Sequence, residues 1–343
     1  MEIASHLTGP TIGAQTRRIL ERHPQRVAFV DASGQHTYAE VLDLIGRYQA
    51  VLTQAGLRRG DGVAALGGNR FEVWALGIAV QSLGLYVTWL HPMGGAADQI
   101  FQIEDARVSA LVVDETNHPE RSRELTDFAA GAGLRTWTFS PAEFAEDLET
   151  AARDAGPQPF RDEGRHDDRA VLNYTGGTTG RPKGVTRRQF NVGPSGADIL
   201  ADFELPDTPR YLLIPPMSHV AGTNIGPTLS KGGTVHLMNG FDPAAVLATI
   251  ERERISFTLF VPTMIYALLD HPTSSRGMCR ASSTSSTGPR PCRNRACGSA
   301  SSGSARCSRS CTGRRSAIRS RSCPARTTRT PGGCCPAASP SSP

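Results

Sequence analysis

From residue 174 to residue 185 the chain reads Tyr-Thr-Gly-Gly-Thr-Thr-Gly-Arg-Pro-Lys-Gly-Val. Gly176, Gly177, Gly180 and Gly184 let a backbone turn sharply and bring its N–H groups close to an anion. Thr175, Thr178 and Thr179 add hydroxyl donors to the same concavity. Lys183 supplies a mobile positive charge, with Pro182 stiffening its approach. The chemistry such a string can do is to hold a polyphosphate. It is not the G-x-x-x-x-G-K-[ST] loop, because Gly184 follows the lysine where that pattern needs Ser or Thr. A solvated glycine–threonine loop is the plain alternative for any short piece of it, but twelve residues together are far more specific.

The elements around this string must present it at an edge. Residues 170–174 are apolar and feed straight into it as a strand. Upstream, short apolar runs at 26–31, 62–66, 86–90, 110–113 and 134–139 predict strands. Between them, helical spacing predicts helices over 41–52, 71–83, 98–106 and 119–130. Thr37 and Glu40 stand at the spacing of a capping box, Gly56 suits a helix C-terminus, and Gly84 ends the next helix. Residues 153–169 are polar and charged, the composition of a surface connection. Downstream, strands are expected at 211–214, 234–238 and 256–260, with helices at 221–229 and 263–269. Asp242-Pro243 forms an N-cap and first helical residue. Strands alternating with helices predict an α/β fold with largely parallel sheets.

The string 174–185 resembles the phosphate loop of the adenylate-forming enzymes: acyl-CoA synthetases, luciferases and peptide-synthetase adenylation domains, usually Y-T-S-G-T-T-G-x-P-K-G. The resemblance runs over roughly residues 10–272 and implies the large N-terminal domain of that family, here incomplete. It implies an ATP-dependent acid–CoA ligase, in which a carboxylate attacks the α-phosphate of ATP to give acyl-AMP and pyrophosphate, and the thiol of CoA then displaces AMP. Thr175, Gly176, Gly177, Thr178, Thr179, Gly180 and Lys183 would bind the nucleotide, with Thr178, Thr179 and Lys183 holding the β- and γ-phosphates and Thr179 and Lys183 acting in catalysis. Gly176 replaces a frequent Ser. The run 213–222 (LIPPMSHVAG) is similar to the family's P-x-x-H-x-x-G, which would put His219 beside the reacting carboxylate. Mg2+ is implied as the ion on ATP, but no metal-ligating set is readable. The other eight histidines are read as surface or structural, His91-Pro92 as a strand exit, and Arg187-Arg188 as solvated rather than phosphate-binding.

The last quarter differs in kind. Residues 276–343 contain 13 Arg and all eight cysteines, with no Lys, Asp or Glu, and Ile318 is the only Ile, Leu, Val, Phe, Tyr or Trp. Residues 1–275 carry 24 Lys+Arg against 32 Asp+Glu, so the overall charge of +5 describes neither part. Such a tail cannot bury enough apolar surface to offset its ordering entropy, and disorder is expected. A shifted codon reading accounts for it. Back-translated and moved one frame, residues 286–292 yield Tyr-Gly-Ala-Ser-Pro-Met, and residues 311–323 yield a string containing Tyr-Gly-Gln-Thr-Glu. Both are family motifs, in order, and neither is present as written. The expected organisation is therefore a partial AMP-binding adenylation domain at 10–275 and an out-of-frame tail at 276–343.

This reading expects impaired activity in the chain as written. Two alternatives remain open: an inactive fragment that at most binds nucleotide, or an adenylation enzyme with a different acyl acceptor. Thirteen arginines would also suit a basic arm on nucleic acid, but the tail has no aromatic for base stacking and the frame shift explains its arginines. The expected partners are a small carboxylic acid, ATP and CoA. No secretory signal and no run of 18 apolar residues is found, so no membrane span and a cytoplasmic location are expected.

Overall fold

The computed structural model describes residues 9–175 and 181–271. The expected tail, and positions 176–180 of the glycine-rich string, lie outside the described residues.

The chain opens with α1 (Ile12–Arg22), whose N-cap Thr11 accepts the Ala14 N–H on Oγ1 at 3.1 Å. Strands β1 (Val27–Asp31) and β2 (Gly34–Thr37) form an antiparallel hairpin. Helix α2 (Tyr38–Gln54) starts with the expected capping box: Thr37 Oγ1 accepts the Glu40 N–H at 3.2 Å, and Glu40 accepts the Thr37 N–H at 2.7 Å. It ends at Gly56, whose φ of +87° only glycine adopts without strain. There follow β3 (Gly62–Leu66), α3 (Phe71–Ser82), β4 (Tyr86–Trp89), α4 (Ala96–Ala106), β5 (Ala110–Val113), α5 (Pro119–Gly131), β6 (Arg135–Thr138), β7 (Glu146–Asp147) and α6 (Leu148–Asp154). Then come β8 (Arg169–Thr175), β9 (Lys183–Arg188), α7 (Gln189–Val192), α8 (Ser195–Asp202) and β10 (Arg210–Leu213). The expected helix over 221–229 begins as a 3-10 turn, Val220–Asn224, before α9 (Ile225–Ser230). Strand β11 (Thr234–Leu237), α10 (Pro243–Arg252), β12 (Phe257–Thr258) and α11 (Pro262–Asp270) complete the described chain.

Two sheets form, in the orders β7-β6-β5-β3-β4-β8-β9 and β12-β10-β11-β1-β2. Every pairing is parallel except the terminal hairpins β1–β2 and β8–β9. The layering follows from strands buried on both faces. In β3, Val63 and Ala65 join a core shared with α1, α2, α3 and the inner face of the other sheet, including Phe29 and Tyr211. The alternate residues, Ala64 and Leu66, pack with Ile103 of α4 and with Leu125 and Ala129 of α5. On the far side of the five-stranded sheet, Leu212 and Ile214 meet Val246, Leu247 and Leu268 of α10 and α11. Helix α3 lies between the sheets and is buried nearly all round, which is why its sequence lacks a polar stripe.

The segment 153–169 is not a simple surface connection. Gln49, wholly buried on α2, donates to the Arg161 carbonyl at 2.6 Å and accepts its N–H at 2.8 Å. The Glu163 N–H donates to the Ser82 carbonyl at 2.7 Å. Gly46 has no Cβ, which admits the Gln158 carbonyl against α2. Charged composition suggested solvent, but a buried amide satisfies this strap's backbone and ties it across the inner helices.

Candidate active site

The glycine-rich string joins two antiparallel strands. Ala170, Val171 and Leu172 of β8 are buried and pair the hairpin to β4, while Thr175 stands opposite Lys183 and Tyr174 opposite Gly184. β8 thus pairs with an antiparallel return strand, which Lys183 begins with its side chain exposed. Among the described residues of the string no helix begins, and the donors its sequence offers an anion are amides, hydroxyls and the lysine.

Helix α4 fixes the base of this hairpin. The Tyr174 hydroxyl donates to Asp105 Oδ2 at 2.6 Å. Burial first, and then that carboxylate, hold the phenol protonated well above its ordinary range. Phe101 meets the Tyr174 ring edge-on at 6.3 Å, and the Arg181 guanidinium lies 5.2 Å over Phe101 on the other limb of the string.

His219 arrives from the other sheet. Beyond β10, the Met217 N–H is held at 2.9 Å by the side chain of Asn69, which follows β3. The Tyr211 hydroxyl donates to the Ala221 carbonyl at 2.9 Å. The Gly222 N–H donates to the His219 carbonyl at 3.0 Å, and a Cβ on Gly222 would run into the Met217 carbonyl oxygen. The glycine three residues after the histidine is therefore a requirement of the turn that aims it. His219 Nδ1 lies 2.9 Å from Ser218 Oγ. Burial, and secondarily the charge of His91, push the His219 ring below the ordinary imidazole range, which favours a neutral ring.

These parts share one cavity of about 960 Å³. Its lining combines Tyr174, Thr175, Pro182, His91 and His219 with the apolar Ile12, Ile19, Trp74, Ile78 and Leu229. Of the residues expected to bind nucleotide, Thr175 borders the cavity and Lys183 pairs with it across the hairpin. Gly176, Gly177, Thr178, Thr179 and Gly180 lie outside the described residues. His91 does stand just past the end of β4, as expected of a strand exit, and its ring also meets His219 edge-on, centroids 4.4 Å apart. Asn69 was not singled out. Arg187, expected to be solvated, lines the cavity and reaches Ser195 Oγ at 3.4 Å. Among the described residues no group of three or more His, Cys, Asp or Glu could hold a metal ion, and no helix is long and apolar enough to cross a membrane.

Residues 16–314 match the family described as AMP-binding enzyme. The chain belongs to that family. Among curated AMP-binding relatives, a medium/long-chain-fatty-acid–CoA ligase, FadD8 of Mycobacterium tuberculosis, is 35% identical over 262 residues, covering 74% of this chain and 46% of its own length. A feruloyl-CoA synthase of an Amycolatopsis species is 33% identical over 263 residues, covering 76% and 50%. The chain thus spans about half the length of the curated relatives it matches. Among solved structures, the inhibitor-bound N-terminal domain of FACL13 from Mycobacterium tuberculosis matches with a TM-score of 0.69 at 26% identity, covering 78% of this chain and 67% of that one. The amide bond synthetase McbA of Marinactinospora thermotolerans matches with a TM-score of 0.66 at 27% identity, covering 78% and 51%. The fold of the described residues is that of the N-terminal domain of adenylate-forming enzymes.

Proposed function

We propose that this chain carries the acid-binding and phosphate-binding half of an ATP-dependent acid–CoA ligase for an apolar carboxylic acid. The observation that supports the reading most is the shared cavity, whose lining combines His219, Thr175 and Pro182 with several apolar side chains. The acid's tail would lie among Ile12, Ile19, Trp74, Ile78 and Leu229, with its carboxylate beside His219. A carboxylate oxygen attacks the α-phosphorus of ATP, the α–β bridging bond breaks, and pyrophosphate leaves. The thiolate of CoA then attacks the acyl carbon, and AMP departs with the bonding pair. The residues of string 174–185 assigned to the nucleotide would position and screen the leaving polyphosphate, with Thr178, Thr179 and Lys183 on the β- and γ-phosphates. The described residues do not make a protein site for Mg2+.

Residues 10–275 are read as the partial adenylation domain and 276–343 as an out-of-frame tail that leaves the reaction incomplete. ATP and CoA are cytoplasmic metabolites, and the reading places the chain there. The test compares the chain as written with one read in the shifted frame from residues 272–279 onward. Acid-dependent release of pyrophosphate and thioester formation with CoA are expected of the shifted-frame protein across a panel of alkyl and aryl acids. Neither product from any acid overturns the reading. Because one structural relative is an amide bond synthetase, amines belong in the same panel; an amide with no thioester would reassign the acceptor.

A further inference from the structure

We infer that His91 is a second carboxylate-holding imidazole, which grips the acid substrate together with His219. This rests on the function proposed above. The turn carrying His91 is built to fix the ring. The His91 carbonyl accepts the Gly94 N–H at 2.8 Å and the Gln99 side-chain amide at 2.7 Å. Gln99 is wholly buried, and its Oε1 in turn accepts from Arg121 at 2.7 Å. The ring's own Nδ1 accepts the Met93 N–H at 3.0 Å. In the neutral ring this bond puts the proton on Nε2, and among the described residues that donor has no partner.

The ring lines the cavity against His219, centroids 4.4 Å apart and planes at 77°. His219 meets Ser218 through Nδ1; in the tautomer where the Ser218 hydroxyl donates to Nδ1, the His219 proton sits on Nε2, which is uncommitted among the described residues. A carboxylate has two oxygens, and two imidazole N–H donors from different loops can take one each. The choice of donor suits the chemistry. A guanidinium fork would stabilise the ground-state carboxylate strongly and blunt its attack on phosphorus, whereas single imidazole N–H donors orient it at smaller cost to nucleophilicity.

Trp74 and Trp89 also line this cavity and report its occupation by their fluorescence. The chain is titrated with two pairs of probes, octanoate against 1-octanol and 3-phenylpropanoate against 3-phenyl-1-propanol. His91→Ala is expected to weaken acid binding by on the order of tenfold, the worth of one hydrogen bond to a charged group, and to leave the alcohols unchanged. His91→Gln, which keeps an N–H donor, should recover part of the loss. On the unmodified chain, the ¹⁵N resonance of His91 Nε2 should move with octanoate and not with 1-octanol, a measurement that needs no variant to fold. Equal weakening of acid and alcohol, or acid binding and resonance that ignore His91, overturns the assignment alone. Absence of acid binding by the unmodified chain overturns the proposed function and this inference together.

Discussion

Asn69, just beyond the end of β3 in the seven-stranded sheet, accepts the N–H of Met217, beyond the end of β10 in the other sheet, on Oδ1 at 2.9 Å. Its amide nitrogen donates to the Ile214 carbonyl at 2.9 Å and the Met238 carbonyl at 2.8 Å, and its backbone N–H donates to Asn239 Oδ1 at 2.7 Å. One buried side chain therefore ties the exits of β10 and β11 to the exit of β3, two residues before His219. Asn69→Ala is expected to cost about 2–4 kcal/mol, because a buried N–H and two carbonyls lose their partner together. Urea unfolding measures this; a variant within about 0.5 kcal/mol of the parent would show that the clamp does not hold the sheets.

Gly222 and Gly226 both line the cavity but differ in what a methyl group would meet. At Gly222 it collides with the Met217 carbonyl, whereas at Gly226 nothing lies within 4 Å. Gly222→Ala should cost about 1–3 kcal/mol and displace His219, since backbone must move to admit the methyl. Gly226→Ala, in helix α9, should leave stability unchanged or raise it by up to about 1 kcal/mol. Equal thermal melts for the two variants would contradict the tight turn at Gly222.

The sequence made the fold legible where burial is continuous and the site only where a string is contiguous. β5 and α3 were readable because residues buried on both faces form unbroken apolar runs. β2 and β9 were missed: β2 is a polar Gly-Gln-His-Thr held by its hydrogen bonds to β1, and β9 is an exposed edge rich in cations. Helix α1 carried a signal that went unread, namely Thr11 as N-cap with Ile12, Thr16 and Leu20 one turn apart and buried. His91 and Asn69 act on partners 128 and 148 residues away, and no local spacing announces such contacts.

The β1–β2 hairpin should give the chain a pH-dependent increment of stability. Asp31 Oδ1 lies 3.2 Å from His36 Nε2, and His36 stacks on Phe71 at 3.8 Å. Burial opposes the Asp31 charge, but hydrogen bonds from His36 and Ser33 outweigh it and bring the carboxyl down to about 2. Burial also opposes the charged His36 ring, yet the bond to Asp31 and the charges of Asp31, Glu72 and Glu40 raise it. A depressed carboxyl stabilises above its unfolded value near 4 and loses that contribution as pH falls toward 2, an effect of about 2 kcal/mol for Asp31. A raised imidazole stabilises below about 6.5 and loses its contribution as pH climbs through the folded value. The increment is thus greatest between about pH 4 and 6.5. His36→Gln should flatten both limbs of a plot of urea midpoint against pH; parallel curves for parent and variant would contradict the pair's role.

In the shifted-frame enzyme, Lys183→Ala should weaken adenylation through the polyphosphate and not through the acid. Lys183 heads β9 directly opposite Thr175, so its four-carbon stem starts beside the residue from which the string runs on in sequence to Thr178 and Thr179. Its side chain is exposed and has no ion-pair partner among the described residues, which leaves the ammonium available to an incoming anion. That charge matters most while negative charge builds on the departing pyrophosphate, which makes the expected loss roughly 10²–10³ in adenylation rate. Fluorescence titration with octanoate should be unchanged, because the proposed carboxylate holders are His91 and His219 and not the lysine. Thioester formation from supplied acyl-AMP should also fall little, since the β- and γ-phosphates have already gone. Equal impairment of both half-reactions, or none in adenylation, would remove Lys183 from this role.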